Sequence, residues 1–411
     1  MEYLTTEKAA KKWGISSRRV RILLTEGRVP GARKQGGVWL IPATEEKPNV
    51  LPSTRKAETP STKNKQPAEA TISTVSEQEA LYSDIVAIIK GVTEPLSLDD
   101  PDAVFDTCED ERVRLQFEAA FSYLRGNFKQ TLECYRRAAD DIPARVCLAS
   151  YALSAAISLG DEKTFEDAES YLLKTRAETT DKRLGFVLDY FLSAASAHVH
   201  AFDLFPSWLK TGALDELPFE LRADAVYRRT HYLLEMGEFR LTHEISKTSL
   251  DLTNVDAGFN YTTIYTLIML ALGCFIQSET EQAAGYLSEA MHLGLPSGFI
   301  TPFAEFIHTF GGLMELCLKE NFPEYLGDIT SQWSHAFKNY VLFHNRMAGG
   351  TLTDKLTLRE YEIAFLIRVR APYTAIAKLQ NISEGRVNNI ARVIYHKLGV
   401  TSREGLERMI L

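Results

Sequence analysis

The stretch GNFKQTLECYRRAADDIP, residues 126–143, decides how the middle of this chain is read. Gly126 can open a tight turn, and Phe128 and Leu132, four apart, share one helical face that packs inward. Ala138 is small enough to let a neighbouring helix approach, and Pro143 stops a helix that runs into it. The segment is thus the second arm of a helical hairpin, and residues 79–350 are expected to be helical throughout.

Similar glycines follow at Gly160, Gly237 and Gly273, at spacings of 34, 77 and 36 residues. After them come FEDAESYLL, FRLTHEISKTSL and EQAAGYLSEAM. A period near 34 with such a hairpin resembles the tetratricopeptide repeat, with four degenerate copies visible and one or two more expected near 190–220. Stacked hairpins imply a solenoid whose concave surface suits a peptide, protein or small-molecule effector. Tyr123, Phe128, Tyr151, Tyr190, Phe191, Tyr227, Tyr232, Phe259, Tyr261 and Tyr265 are read mainly as core, and no groove residue can be singled out. The course from Gly273 through AMHLGLPSGFITPFAEF to GGLMELCL resembles the end of the sensor region in MalT-like regulators.

Residues 356–400, LTLREYEIAFLIRVRAPYTAIAKLQNISEGRVNNIARVIYHKLGV, read as three short helices. Ser383 is the expected N-cap of the third. Val387, Ile390, Ile394 and Leu398 form its buried stripe, which leaves Arg386, Asn388, Asn389 and Arg392 outward. Arginine can pair with guanine and asparagine with adenine. The stretch resembles the LuxR-type helix-turn-helix domain, whose pattern runs through it in order. That resemblance implies DNA contacts from Asn388, Asn389 and Arg392, with Thr374 and Lys378 on the second helix at phosphates. It also implies dimers through the last helix, from Arg403 to Leu411. The chain departs from the family at Arg386 and Asn388, at Arg370, and at Pro372 to Ala375, which points to an altered sequence preference.

Residues 1–46 form a smaller unit. Thr6 is expected to cap a helix reaching Lys12 or Trp13, and a second helix runs from Ile15-Ser16-Ser17 to Glu26. Residues 32–42 give two short strands around Gly36-Gly37. The whole resembles the excisionase-like branch of MerR-type winged helix-turn-helix proteins. In that resemblance Ser17, Arg18 and Arg21 face a DNA groove with Arg19 nearer its edge, Arg33 and Lys34 in the wing reach phosphate or a neighbouring minor groove, and Trp39 packs the wing onto the helices. Residues 47–78, rich in Pro, Thr, Ser and Lys, are expected to be a disordered linker spanning roughly 30–35 Å.

Charge supports this division. The net charge is −8, yet residues 1–47 and 355–411 each hold 10 basic against 5 acidic residues. Two basic ends flank an acidic middle, and phosphate binding needs local positive charge whatever the total. Five scattered cysteines argue against disulfides and zinc, and for a reducing cytoplasm. No phosphate loop, GxSxG or HExxH occurs. The nine histidines show no ligand cluster, His198 and His200 pointing different ways on one helix.

The expected fold is therefore mainly α. A winged helix-turn-helix (1–46) and a linker (47–78) precede a solenoid of tetratricopeptide-like hairpins (79–350) and a LuxR-type helix-turn-helix (351–411). The expected function is sequence-specific transcription regulation without enzymatic activity, cofactor, metal or membrane. Double-stranded promoter DNA, RNA polymerase, an effector in the repeats and a second copy of the chain are the expected partners. A repeat scaffold that docks proteins through its ends is the alternative.

Overall fold

The computed structural model describes residues 3–13, 20, 24, 29–35, 38–44, 74–93, 96, 97, 100–252, 260–348, 355–368, 372–380 and 382–407. The chain divides into two compact units, 1–68 and 69–411.

In the first unit β1 (Tyr3–Leu4) and β2 (Arg33–Gln35) both pair antiparallel with β3 (Val38–Pro42), giving the order β1-β3-β2. The β2–β3 pair is the expected hairpin, with Arg33 opposite Leu40. The strand at Tyr3–Leu4 was not foreseen, because two residues carry no period. Helix α1 (Thr6–Trp13) has the expected length, but its cap is Thr5, whose hydroxyl accepts from the Lys8 amide at 3.4 Å. Ala9, Ala10, Trp13, Val20, Leu24, Val29 and Ile41 form the small core, with Trp39 packed at its edge.

The second unit is all helix apart from an isolated bridge residue, among the described residues. It opens with α2 (Val75–Thr93), so helix begins before the expected boundary at 79. Next come α3 (Glu111–Leu124), α4 (Phe128–Arg137), α5 (Ile142–Leu159), α6 (Glu162–Glu178) and α7 (Lys182–His198). Then follow α8 (Phe219–Glu235), α9 (Phe239–Asp251), α10 (Tyr261–Ile276) and α11 (Thr280–Gly294). Between α7 and α8, where further repeat copies were expected, lie only the turn Phe202–Leu204 and the short helix Ser207–Thr211.

Asn127, Asp141, Asp161 and Asp181 cap α4, α5, α6 and α7 with side-chain oxygens, so each hairpin arm has a defined start. Gly126, Gly160 and Gly237 take φ of 75°, 73° and 79°, as the hairpin turns require. Gly273 does not. It lies inside α10, where its missing side chain admits His243, and the positive φ of that hairpin falls on Ser278 at 69°.

The first helices α3, α5, α7, α8 and α10 touch in succession. The short helix α12 (Thr301–Phe306) then touches both α10 and α3 and closes the row into a ring. Helix α5 is long and apolar enough to cross a membrane by composition, yet 67% of it is buried inside this body. It packs on α2, α3, α4, α6 and α7.

Two helices cross the inner face at opposite ends. Helix α2 lies over the N-terminal parts. Its buried Gln78 accepts from the amides of Thr180 (2.8 Å) and Asp181 (2.9 Å) and donates to the Glu178 carbonyl (3.3 Å). After α13 (Leu313–Asn321), α14 (Leu326–Ala348) lies over the C-terminal ends. Asn339 donates to the Ser158 carbonyl at 2.9 Å, His344 bonds the Val199 carbonyl at 2.6 Å, and Phe343 packs on Phe165. The expected open concave surface is thereby narrowed to an internal space.

The chain ends in α15 (Leu358–Arg368), α16 (Tyr373–Leu379), α17 (Glu384–Leu398) and α18 (Arg403–Glu407). Leu356, Ile363, Ala364, Ile367, Ile376, Ala377, Val387, Ala391, Ile394, Leu398 and Leu406 give these helices their own core. Phe239 of α9 packs against that core. The end helices are thus seated on the body rather than tethered to it.

Replacing Gln78 by Ala strands two backbone donors and a carbonyl. Urea unfolding of the full chain should show a loss of about 1–3 kcal/mol.

Candidate functional site

The third helix of the C-terminal group carries the sequence-derived contact residues. Ser383 caps α17, its hydroxyl accepting from the Arg386 amide at 3.2 Å. Val387, Ala391, Ile394 and Leu398 are buried, while Ile390 is only partly so. The buried stripe therefore runs through Ala391 rather than Ile390. Arg386, Asn388, Asn389 and Arg392 are all exposed, and Thr374 on α16 is exposed as well. Asn388 donates to the Glu384 carbonyl one turn back at 3.2 Å. Lys397 is held by Glu360 at 2.7 Å, so it braces α17 on α15. The Lys378 side chain lies outside the described residues. In the last helix Arg403 donates to the Ile367 carbonyl at 2.6 Å and Leu406 is buried, both within the same chain.

Of the N-terminal candidates, Ser17, Arg18, Arg19 and Arg21 lie outside the described residues, as does the Lys34 side chain. Arg33 is exposed on β2.

The feature that sequence reading missed is inside the ring. A cavity of about 250 Å³ is lined from α2, the first helices, α12 and α14, and also by Tyr361 and Leu366 of α15. Seven of the aromatics read mainly as core line it: Tyr123, Tyr151, Tyr190, Phe191, Tyr227, Tyr261 and Tyr265, of which Tyr123, Tyr190, Phe191 and Tyr265 are also buried core residues. Each sits on an inner helix, so its burial comes from the ring around it.

The polar groups of this cavity are mutually arranged. Glu305 of α12 accepts from the Tyr123 hydroxyl at 2.5 Å and from the Tyr265 hydroxyl at 3.0 Å. Burial raises its carboxyl to about 7, the two tyrosine donors pulling the other way. Asp224 accepts from Tyr190 and from Arg228 at 3.3 Å, and Arg228 also donates to the Tyr190 carbonyl at 2.9 Å. Tyr151 and Tyr261 join their hydroxyls at 2.9 Å.

Histidines gather here too. His198 and His308 are lowered to about 3, first by burial and then by His200, so both are neutral at pH 7. His308 stacks on Trp333 at 4.0 Å. The expectation that no histidine cluster exists is overturned. His200, His231 and Glu235 place one donor atom each within 4.8 Å of the others. Helix α7 ends at His198, and His200 lies beyond it at φ 57°, so the helical argument about directions did not apply. Only the i,i+4 pair His231 and Glu235 was visible in the sequence.

Comparison with known protein families, with curated protein sequences and with solved structures gave no match for this chain.

The raised carboxyl of Glu305 has a stability consequence. A group whose folded pKa lies above its unfolded value stabilises at low pH and loses that contribution as pH rises through the folded value. The window runs from 4.5 to about 7. The lowered His198 and His308 act oppositely, losing stability as pH falls below 6.5. Comparing wild type with Glu305→Gln isolates the carboxyl. The variant should match wild type near the lower limit and become progressively more stable above it. The gap should open by up to about 1.4 kcal/mol per pH unit and level off past neutrality, as read by denaturant midpoints.

Proposed function

We propose that this chain is a sequence-specific DNA-binding transcription regulator whose helical-repeat body senses a small effector. In this reading α15–α17 form a helix-turn-helix of the LuxR type, and α3–α11 form a closed variant of a tetratricopeptide-like solenoid. The first unit is a second, winged head. The observation that carries the proposal is the two-sidedness of α17. Val387, Ala391, Ile394 and Leu398 are buried in the core of the end helices, while Arg386, Asn388, Asn389 and Arg392 stand exposed, with Val393 among them. A helix with such a face and a capped N-terminus can enter a major groove. Asn389 and Arg392 serve base edges or phosphates, and Thr374 serves phosphate.

The cavity supports the sensing half. Its size suits a small organic molecule rather than a folded partner, and its tyrosines, Arg228 and Glu305 offer donors and a titratable acceptor among apolar walls. Tyr361 belongs both to the cavity wall and to the first helix of the DNA-binding group, with its ring 6.0 Å from His344 of α14. An occupant can therefore favour one seating of the end helices over another. RNA polymerase and a second copy of the chain are further partners in this reading.

The test is a gel shift of the full chain on DNA selected from random duplexes. Asn389→Ala and Arg392→Ala should each cost about 1–3 kcal/mol, roughly 10-fold to 100-fold in affinity. Wild-type affinity should fall steeply with salt, in proportion to the phosphates neutralised. Selection that yields no preferred sequence, or variants that bind as wild type, would remove the DNA-reading assignment.

A further inference from the structure

The cluster at the end of α8 has the composition of a metal site. His231 and Glu235 are four residues apart on α8 and so project from one face. His200 comes from the link after α7, held in a left-handed backbone conformation at φ 57° that turns its ring onto the same spot. His200 Nδ1 stands 3.0 Å from Glu235 Oε1, and His231 Nε2 stands 3.9 Å from the same oxygen. All three donors lie within 4.8 Å of one another. Ligands at metal bond lengths of about 2.0–2.1 Å in a tetrahedral shell sit about 3.3 Å apart, so only small side-chain adjustments are needed.

A second observation points to an occupant. His231 is 5% exposed and Glu235 is 4% exposed. Even so, His231 Nε2 and Glu235 Oε2 are buried without a hydrogen-bond partner. Buried polar atoms are normally satisfied, and a buried carboxylate needs a compensating charge. A divalent cation answers both needs at once, since it takes the imidazole nitrogen and the carboxylate oxygen as ligands. Two nitrogens and one oxygen suit zinc or a neighbouring first-row ion rather than calcium or magnesium.

We infer that His200, His231 and Glu235 bind a divalent transition-metal ion of the zinc class. All three residues line the cavity, so the remaining coordination position faces it. Water, or a donor atom from a molecule in the cavity, completes the shell there. The inference does not depend on DNA binding, and it adds a binding site that the five cysteines do not supply. Four of those are buried separately and Cys108 is half-buried.

The experiment uses the full chain without a histidine tag, stripped with chelator and reloaded with Zn2+. Elemental analysis after gel filtration should give one zinc per chain, and zinc should raise the melting temperature. Glu235→Gln and His231→Gln should each weaken zinc binding at least about tenfold while preserving the helical circular-dichroism signal. Should either variant lose that signal, His200→Asn carries the test, because asparagine tolerates the left-handed backbone. Co2+ should give visible d–d absorption in wild type that these substitutions abolish. Wild-type protein that retains no zinc, or folded variants that retain it as tightly as wild type, would overturn the site.

Discussion

The hydroxyl of Thr301 donates to the carbonyl oxygen of Tyr123 across 2.6 Å, in a buried setting. Gln332 of α14 in turn donates to that hydroxyl at 2.9 Å. This pair of bonds joins the last first-layer helix to the earliest hairpin and lays α14 over the junction. A row of hairpins left open would expose its inner aromatic face to water. Closed, the same residues surround a defined volume, and Glu305 on the same short helix is carried to its wall. The seat of the C-terminal helices is tied to this closure as well, since His344 of α14 stands against Tyr361 of α15.

The logic of the closure explains what could be foreseen. Helix character, the hairpin at 126–143, three of the four turn glycines and the exposed residues of α17 all follow from local spacing and capping. They were legible because each is decided within a few residues. Gly273 misled for the same reason: a glycine that admits His243 against a helix looks, in sequence, like one that turns the chain. Whether a tyrosine packs solidly or faces a cavity is decided by helices more than a hundred residues away. No periodicity records that. The joining of His200 with His231 and Glu235 was hidden by a helix end that falls two residues earlier than the pattern suggested.

Charge follows a similar division of labour. The basic excess near the chain ends is a matter of composition and was plain from the start. Inside the body, charges are few and individually managed. Arg228 shares Asp224 with Tyr190, and Glu305 is flanked by two phenols. Burial makes each such group expensive to leave unpaired, so their positions are tightly determined.

Tyr361 draws these threads together. It walls the cavity while its helix is cemented to α17 through Ile363, Ala364 and Ile367. Two binding events that touch one such body are thermodynamically reciprocal. If a molecule in the cavity strengthens the grip of α17 on a duplex by some factor, the duplex must strengthen the grip of the cavity on that molecule by the same factor. Under that coupling, the cavity's affinity for such a molecule would differ between the free chain and the duplex-bound chain. In the proposed reading a single cavity would then carry two thresholds, one for the free chain and another for the chain held on a duplex.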